Sequence, residues 1–174
     1  MSKFTAKVVA LFCAGLLALA GCAGSPQTAA QVGDHRITDA EVAPIAAALA
    51  AAGTDKETAT KLTPTVISLL IQSELGHAAM VKAGLNFTDN DRKPLYASNP
   101  VLGAMATQPA TAAFIQRYAD LYLVTQSAEG KTAFSDVVQN TKITVNPRYG
   151  DWDPAQLQLT NAGGSLSELA PNKP

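Results

Sequence analysis

The chain has 174 residues and carries 13 Lys plus Arg against 14 Asp plus Glu, a formal net charge of −1. That length suits one compact domain, and a chain with no cluster of basic residues is excluded as a binder of nucleic-acid phosphates. Its two cysteines, Cys13 and Cys22, are too few for a disulfide framework or a cysteine-based metal site.

Both cysteines belong to an unusual N-terminus. Lys3 and Lys7 precede an uncharged run of apolar and small residues, Val8 to Ala20. Such a run fits the core of a secretion signal and is too short to span a bilayer as a stable helix. It ends in Leu19-Ala20-Gly21-Cys22, which resembles a lipobox, the processing site of bacterial lipoproteins. The resemblance implies cleavage before Cys22 and diacylglycerol on its sulfur. Each buried CH₂ contributes about 0.8 kcal/mol and stable anchoring takes about two chains, which a diacylglyceryl group supplies. Residues 1–21 are therefore expected to be a signal peptide, and the mature protein to be held at the extracytoplasmic face of the cell membrane. Cys13 then leaves with the signal and Cys22 is consumed by lipid. The folded part has to be held by an apolar core without disulfides.

Residues 22–30 are small, polar and proline-containing, and read as a tether from lipid to domain. Val32 and Ile37 flank Gly33-Asp34, a turn dipeptide, which predicts a minimal hairpin. Thr38 followed by Glu41 forms a capping-box pattern that starts a helix at about Asp39, and Gly53 is placed to end it. A second helix, the strongest in the chain, runs from about Thr60 or Pro64 to Ala83, with Gly84 as its left-handed terminator. Its apolar positions cover more than one face, so it should be central, with partners on more than one side. Thr88 to Asp91 caps a short helix that Pro94 interrupts or begins, and Asn99-Pro100 and Gln108-Pro109 mark loops and short helices. Helices follow at about Pro109 to Ser127 and Lys131 to Gln139.

The period then changes. Lys142 to Asn146 alternates polar and β-branched residues, as a half-buried strand does. A lone short strand is unstable, and the other strand-like segment lies near residues 31–38, so the two ends of the domain are predicted to pair. Pro147 should stop the ladder, and Arg148 to Trp152 should turn back so that Tyr149 and Trp152 cover the helices. The fold class predicted is mainly α: a bundle of about five helices with a small two- or three-stranded sheet joining the N-terminal and C-terminal strands. The domain is expected over residues 31–153, with a flexible tail at 154–174.

Taken together, the lipobox, the opening "VGDHRITDAEV", the long "LTPTVISLLIQSELGHAAMVKAGL" followed by "TDND", and the closing "ITVNPRYGDWD" resemble the SurA-like N-terminal domain of extracytoplasmic chaperones, especially its lipoprotein members. The resemblance implies an opening and a closing strand brought together beside a helical bundle. Family members of this kind carry parvulin prolyl isomerase domains, and neither the stretch from Gly84 to Lys142 nor the residues after Asp153 leave room for one. Ala162 to Leu166 is only faintly similar to a parvulin glycine turn. Isomerase activity is not expected.

Candidate chemistry is sparse. His35 and His77 are the only histidines and lack companion ligands; Glu74, three residues before His77, is positioned for a surface contact on the helix. Asp89 and Asp91 fail the calcium-loop pattern because Arg92, Lys93 and Pro94 follow, so capping explains them better. Ser73, Ser127 and Ser165 have no nucleophile-elbow setting. Arg148, Tyr149 and Trp152 could form a peptide-binding patch, but aromatic closure of the core is the preferred reading. No catalytic residue, metal ligand or cofactor site is expected, apart from the covalent diacylglycerol at Cys22. What remains is a membrane-anchored chaperone-like binder of unfolded or newly exported polypeptides, cradled by surplus apolar surface on the helix from Leu62 to Ala83. The alternative is a structural adaptor lipoprotein docking one envelope partner.

Overall fold

The computed structural model describes residues 27–53 and 58–161. The expected signal peptide at residues 1–21, Cys22, the start of the expected tether and residues 162–166 lie outside them. The described elements run in the order β1 (Thr28–Val32), β2 (His35–Thr38), α1 (Asp39–Ala52), α2 (Ala59–Lys82), α3 (Asp89–Ser98), α4 (Pro100–Ala106), α5 (Ala112–Val124), α6 (Ala128–Asn140), β3 (Ile143–Val145), a 3₁₀ turn (Pro147–Tyr149), β4 (Asp151–Asp153) and β5 (Gln158–Thr160). The class is mainly α, as predicted.

The two ends of the domain do pair. β1 is the middle strand of an antiparallel sheet ordered β2-β1-β3, with Ala30 opposite Val145, Gln31 opposite Thr144 and Val32 opposite Ile143. The hairpin from β1 to β2 turns at Gly33 with φ +56, the first of two loop residues and the position where a II′ turn takes glycine. The last ladder bond runs from Asn146 N–H to the Ala29 carbonyl at 2.9 Å, and Asn146 Nδ2 donates to the Thr28 carbonyl at 3.1 Å. Pro147, with no N–H, follows at once and the chain leaves the sheet.

The tether is correspondingly shorter than residues 22–30. Thr28 to Ala30 belong to β1, and Ala29 and Ala30 are buried, small enough to pass beneath the helices and bonded to the neighbouring strands. The expected tail is also corrected, because the fold continues past Asp153. β4 and β5 form a second antiparallel pair, clipped to α2 where Ser68 Oγ accepts from Leu159 N–H at 2.9 Å and Gln72 Nε2 donates to the Leu157 carbonyl at 2.7 Å. Asp153 Oδ1 folds the intervening loop by accepting from Ala155 N–H at 2.8 Å.

Helix ends follow local chemistry. Thr38 Oγ1 accepts from Glu41 N–H at 3.3 Å, one half of the expected box. Thr88 and Asp91 complete a full capping box on α3. α2 ends with Gly84 at φ +65, Gly84 N–H bonding the Val81 carbonyl and Leu85 N–H the Met80 carbonyl, a Schellman arrangement. Pro94 neither breaks nor begins α3. It sits at the sixth helical residue, as do Pro44 in α1 and Pro64 in α2. In each case the bond forfeited is one to an exposed residue four positions earlier, Ala40, Thr60 or Asn90, whose carbonyl water can satisfy.

α2 is the axis of the domain. Val66, Ile67, Leu70, Ile71, Leu75 and Ala79 are at most 1% exposed, enclosed by α1, α5, α6, β1 and β5. The apolar surplus expected to form an open cradle is therefore covered. Among the described residues only Val81, Val101 and Tyr122 are large exposed hydrophobics. α2 and α5 approach closely, so that a Cβ built on Gly76 would stand 2.8 Å from Leu121 Cβ and 3.0 Å from its Cα. Overpacking of this kind costs about 1–3 kcal/mol. Gly76→Ala should lower stability by that amount in urea unfolding, with an unchanged denaturant slope.

Candidate functional site

Most polar side chains singled out in the sequence serve the scaffold. Ser73 Oγ donates to the Leu69 carbonyl within α2, and Ser127 Oγ caps α6 by accepting from Gly130 N–H at 3.0 Å. His77 is exposed on α2, whereas Glu74, expected at the surface, is buried and faces across to α5, where Arg117 Nη1 donates to it. His35 Nε2 lies 3.7 Å from the same carboxylate oxygen and is buried without a hydrogen-bond partner. Among the described residues, no three His, Cys, Asp or Glu side chains converge as a metal site.

Arg92, which breaks the calcium-loop pattern, is 5% exposed and fastens α3 to α5. Its Nε donates to Asp120 at 2.7 Å, its Nη1 to Asp89 at 3.1 Å and its Nη2 to the Phe87 carbonyl at 3.0 Å. Removing one partner of a buried ion pair strands the other charge in low dielectric and costs about 3–5 kcal/mol. Asp120→Ala should destabilise by that much in chemical denaturation, and the double replacement Arg92→Met with Asp120→Leu should recover most of the loss.

The aromatic turn divides its residues between two tasks. Tyr149 Oη donates to Asp39 Oδ1 at 2.8 Å, Arg148 donates to Asp39 Oδ2, and the Arg148 guanidinium lies 4.6 Å from the centre of the Tyr149 ring. Burial alone would raise the Asp39 pKa; the hydrogen bonds from Arg148 and Tyr149 and the charge of Arg148 outweigh it, so the carboxyl titrates below its usual value. A depressed folded-state pKa contributes stability above the unfolded value of about 4 and loses it as pH falls through the folded value. The melting temperature should therefore fall below about pH 4, and Asp39→Asn should flatten that acid limb.

Trp152, in β4, packs against the core, and its indole Nε1–H is buried with no acceptor. It also lines a cleft of about 770 Å³, bounded by the C-terminal end of α6, by β3, and by the stretch from Gly150 to Trp152. The strand geometry defines what faces this cleft. Lys142 C=O and Asn146 N–H both point to β1. Alternation along an antiparallel strand therefore turns the N–H and C=O of Ile143 and Val145 to the opposite edge. Leu159 N–H points from β5 to Ser68, away from β4, which makes Trp152 opposite Leu159 a pair without ladder bonds. The main-chain groups of Trp152 likewise face away from β5. No hydrogen bond from a described residue reaches the N–H or C=O of Ile143, Val145 or Trp152. The cleft is thus walled by unpaired strand backbone on β3 and β4, a feature the sequence reading missed because its register depends on a pairing only the fold defines. No family model, curated protein or solved structure matches the chain.

Proposed function

We propose that the protein is a membrane-anchored extracytoplasmic lipoprotein, without enzymatic activity, that binds unfolded or newly exported polypeptides in a chaperone-like manner. The observation that carries this reading is the open cleft beside β3, where main-chain donors and acceptors stand unpaired along a sheet edge. Such an edge accepts extended chain with little regard for its side chains. A folded partner rarely offers free backbone, whereas an unfolded one offers it everywhere. The anchor rests on the Leu-Ala-Gly-Cys string ending at Cys22. From Cys22 to the start of β1 at Thr28, the six steps of chain span at most roughly 22 Å, so the sheet would sit close to the bilayer where exported chains emerge.

Two measurements test the reading. The soluble domain in several-fold excess should suppress aggregation of a denatured test protein, and no change in aggregation would remove the support for it. In cells, photo-crosslinking from the cleft should capture many exported clients; capture of one folded envelope protein would favour the adaptor reading. Cys22→Ala should shift the protein from the detergent-extracted membrane fraction to the soluble one, and retention in the membrane would sink the anchor.

A further inference from the structure

Resting on the polypeptide-binding reading, we infer that the bound segment enters as an added strand on the free edge of β3, pairing with the N–H and C=O of Ile143 and Val145, and that the cleft favours basic or uncharged segments over acidic ones. The edge offers donor and acceptor at alternate residues, two sets separated by roughly 7 Å, the repeat of an extended chain. The side chains leave that edge accessible. Ile143 and Val145 lean onto the core, and Thr144 between them is exposed on the opposite face. Trp152, whose main-chain groups face away from β5, lines the same cleft.

The charge preference follows from the same walls. Among the described residues lining the cleft Asp151 is the one with an ionisable side chain, and its carboxylate has only the Asn161 amide at 3.3 Å as a described partner. Acidic side chains on an incoming strand would be repelled by that exposed carboxylate and lysine or arginine attracted to it, an effect that salt weakens. Strand pairing gives affinity through the backbone, and the charge of the walls then ranks the segments.

The test uses the full chain and three synthetic peptides of alternating valine and threonine: one flanked by lysine, one flanked by glutamate, and one lysine-flanked with every backbone amide N-methylated so that neither of its edges can donate to β3. The lysine-flanked peptide should bind, and hydrogen exchange at the Ile143 and Val145 amides should slow while Thr144, already paired, stays unchanged. N-methylation should weaken binding at least tenfold, and glutamate flanks several-fold. Val145→Pro removes a donor from the free edge and none from the β1 ladder, so it should fold and lose at least tenfold in affinity, whereas Thr144→Pro should unfold the sheet. If the N-methylated peptide binds as tightly as its parent while aggregation is still suppressed, strand addition is wrong and the polypeptide-binding reading stands. If neither peptide binding nor suppression occurs, both are wrong. Equal binding of the two flanked peptides would overturn the charge preference, and a wild-type dimer that Val145→Pro dissociates would overturn the inference by assigning the edge to a second copy.

Discussion

Most elements of this domain are placed by the need to enclose α2. A helix apolar around most of its circumference cannot lie on a surface, because each exposed leucine or isoleucine forfeits about 1.5–3 kcal/mol of burial. α1, α5 and α6 cover part of α2, and the sheet and the β4–β5 hairpin close the remainder. Joining β1 to β3 brings together segments more than a hundred residues apart, but the entropic cost of closure grows only logarithmically with length, about 0.6 kcal/mol per doubling. The burial of Ala29 and Ala30 beside the helix, together with a central strand paired on both sides, offsets it.

Enclosure also dictates what the polar groups do. Glu74, Ser68 and Ser73 lie on α2 itself, where an unpaired group would cost about 1–3 kcal/mol. Each is turned to use: Ser68 holds the second hairpin, Ser73 bonds back within the helix, and Glu74 engages Arg117. Arg92 does the same where the peripheral helix α3 meets α5, binding the Phe87 carbonyl as well as Asp89 and Asp120. These contacts add less net energy than the apolar core does, yet they fix which helix faces which, since a rotated α5 would leave Asp120 or Glu74 buried alone.

Local signals in the sequence were legible because their physics is local. The caps at Thr38 and Thr88, the left-handed Gly84 and the alternation at 142–146 each depend on a few neighbouring residues. The pairing of the ends followed because the second strand had one plausible mate. Other features depend on residues distant in the chain. Nothing near Gly76 says that Leu121 will press against it, and nothing near Arg92 says that Asp120 will bury it. The β5 strand was missed for a different reason: Gln156-Leu157-Gln158-Leu159 does alternate, but the surrounding segment was weighed by its composition, which is poor in bulky residues. Without that hairpin α2 has apolar surface to spare, and the expectation of an open cradle followed directly from the omission. The cleft was unreadable for the sharpest reason, since a slip of one residue in the β1–β3 register would turn Ile143 and Val145 from the free edge to the paired one.

Closure of the core constrains how such a domain can bind. An apolar cradle would gain affinity from side chains and discriminate by hydrophobicity, but here the large side chains are already spent on α2 and its neighbours. The interaction energy still available at the cleft beside β3 is that of unpaired backbone, which is similar for every sequence and modest for each bond, about 0.5–1.5 kcal/mol net. A three-residue edge offers few such bonds, so binding at it would be weak and quickly reversible. Weak capture becomes effective when the binder is concentrated beside its ligand, because confinement acts as an effective concentration without any new contact. A lipid at Cys22 and a tether of a few residues would supply that confinement, which makes the proposed anchor a working part of the proposed binding site.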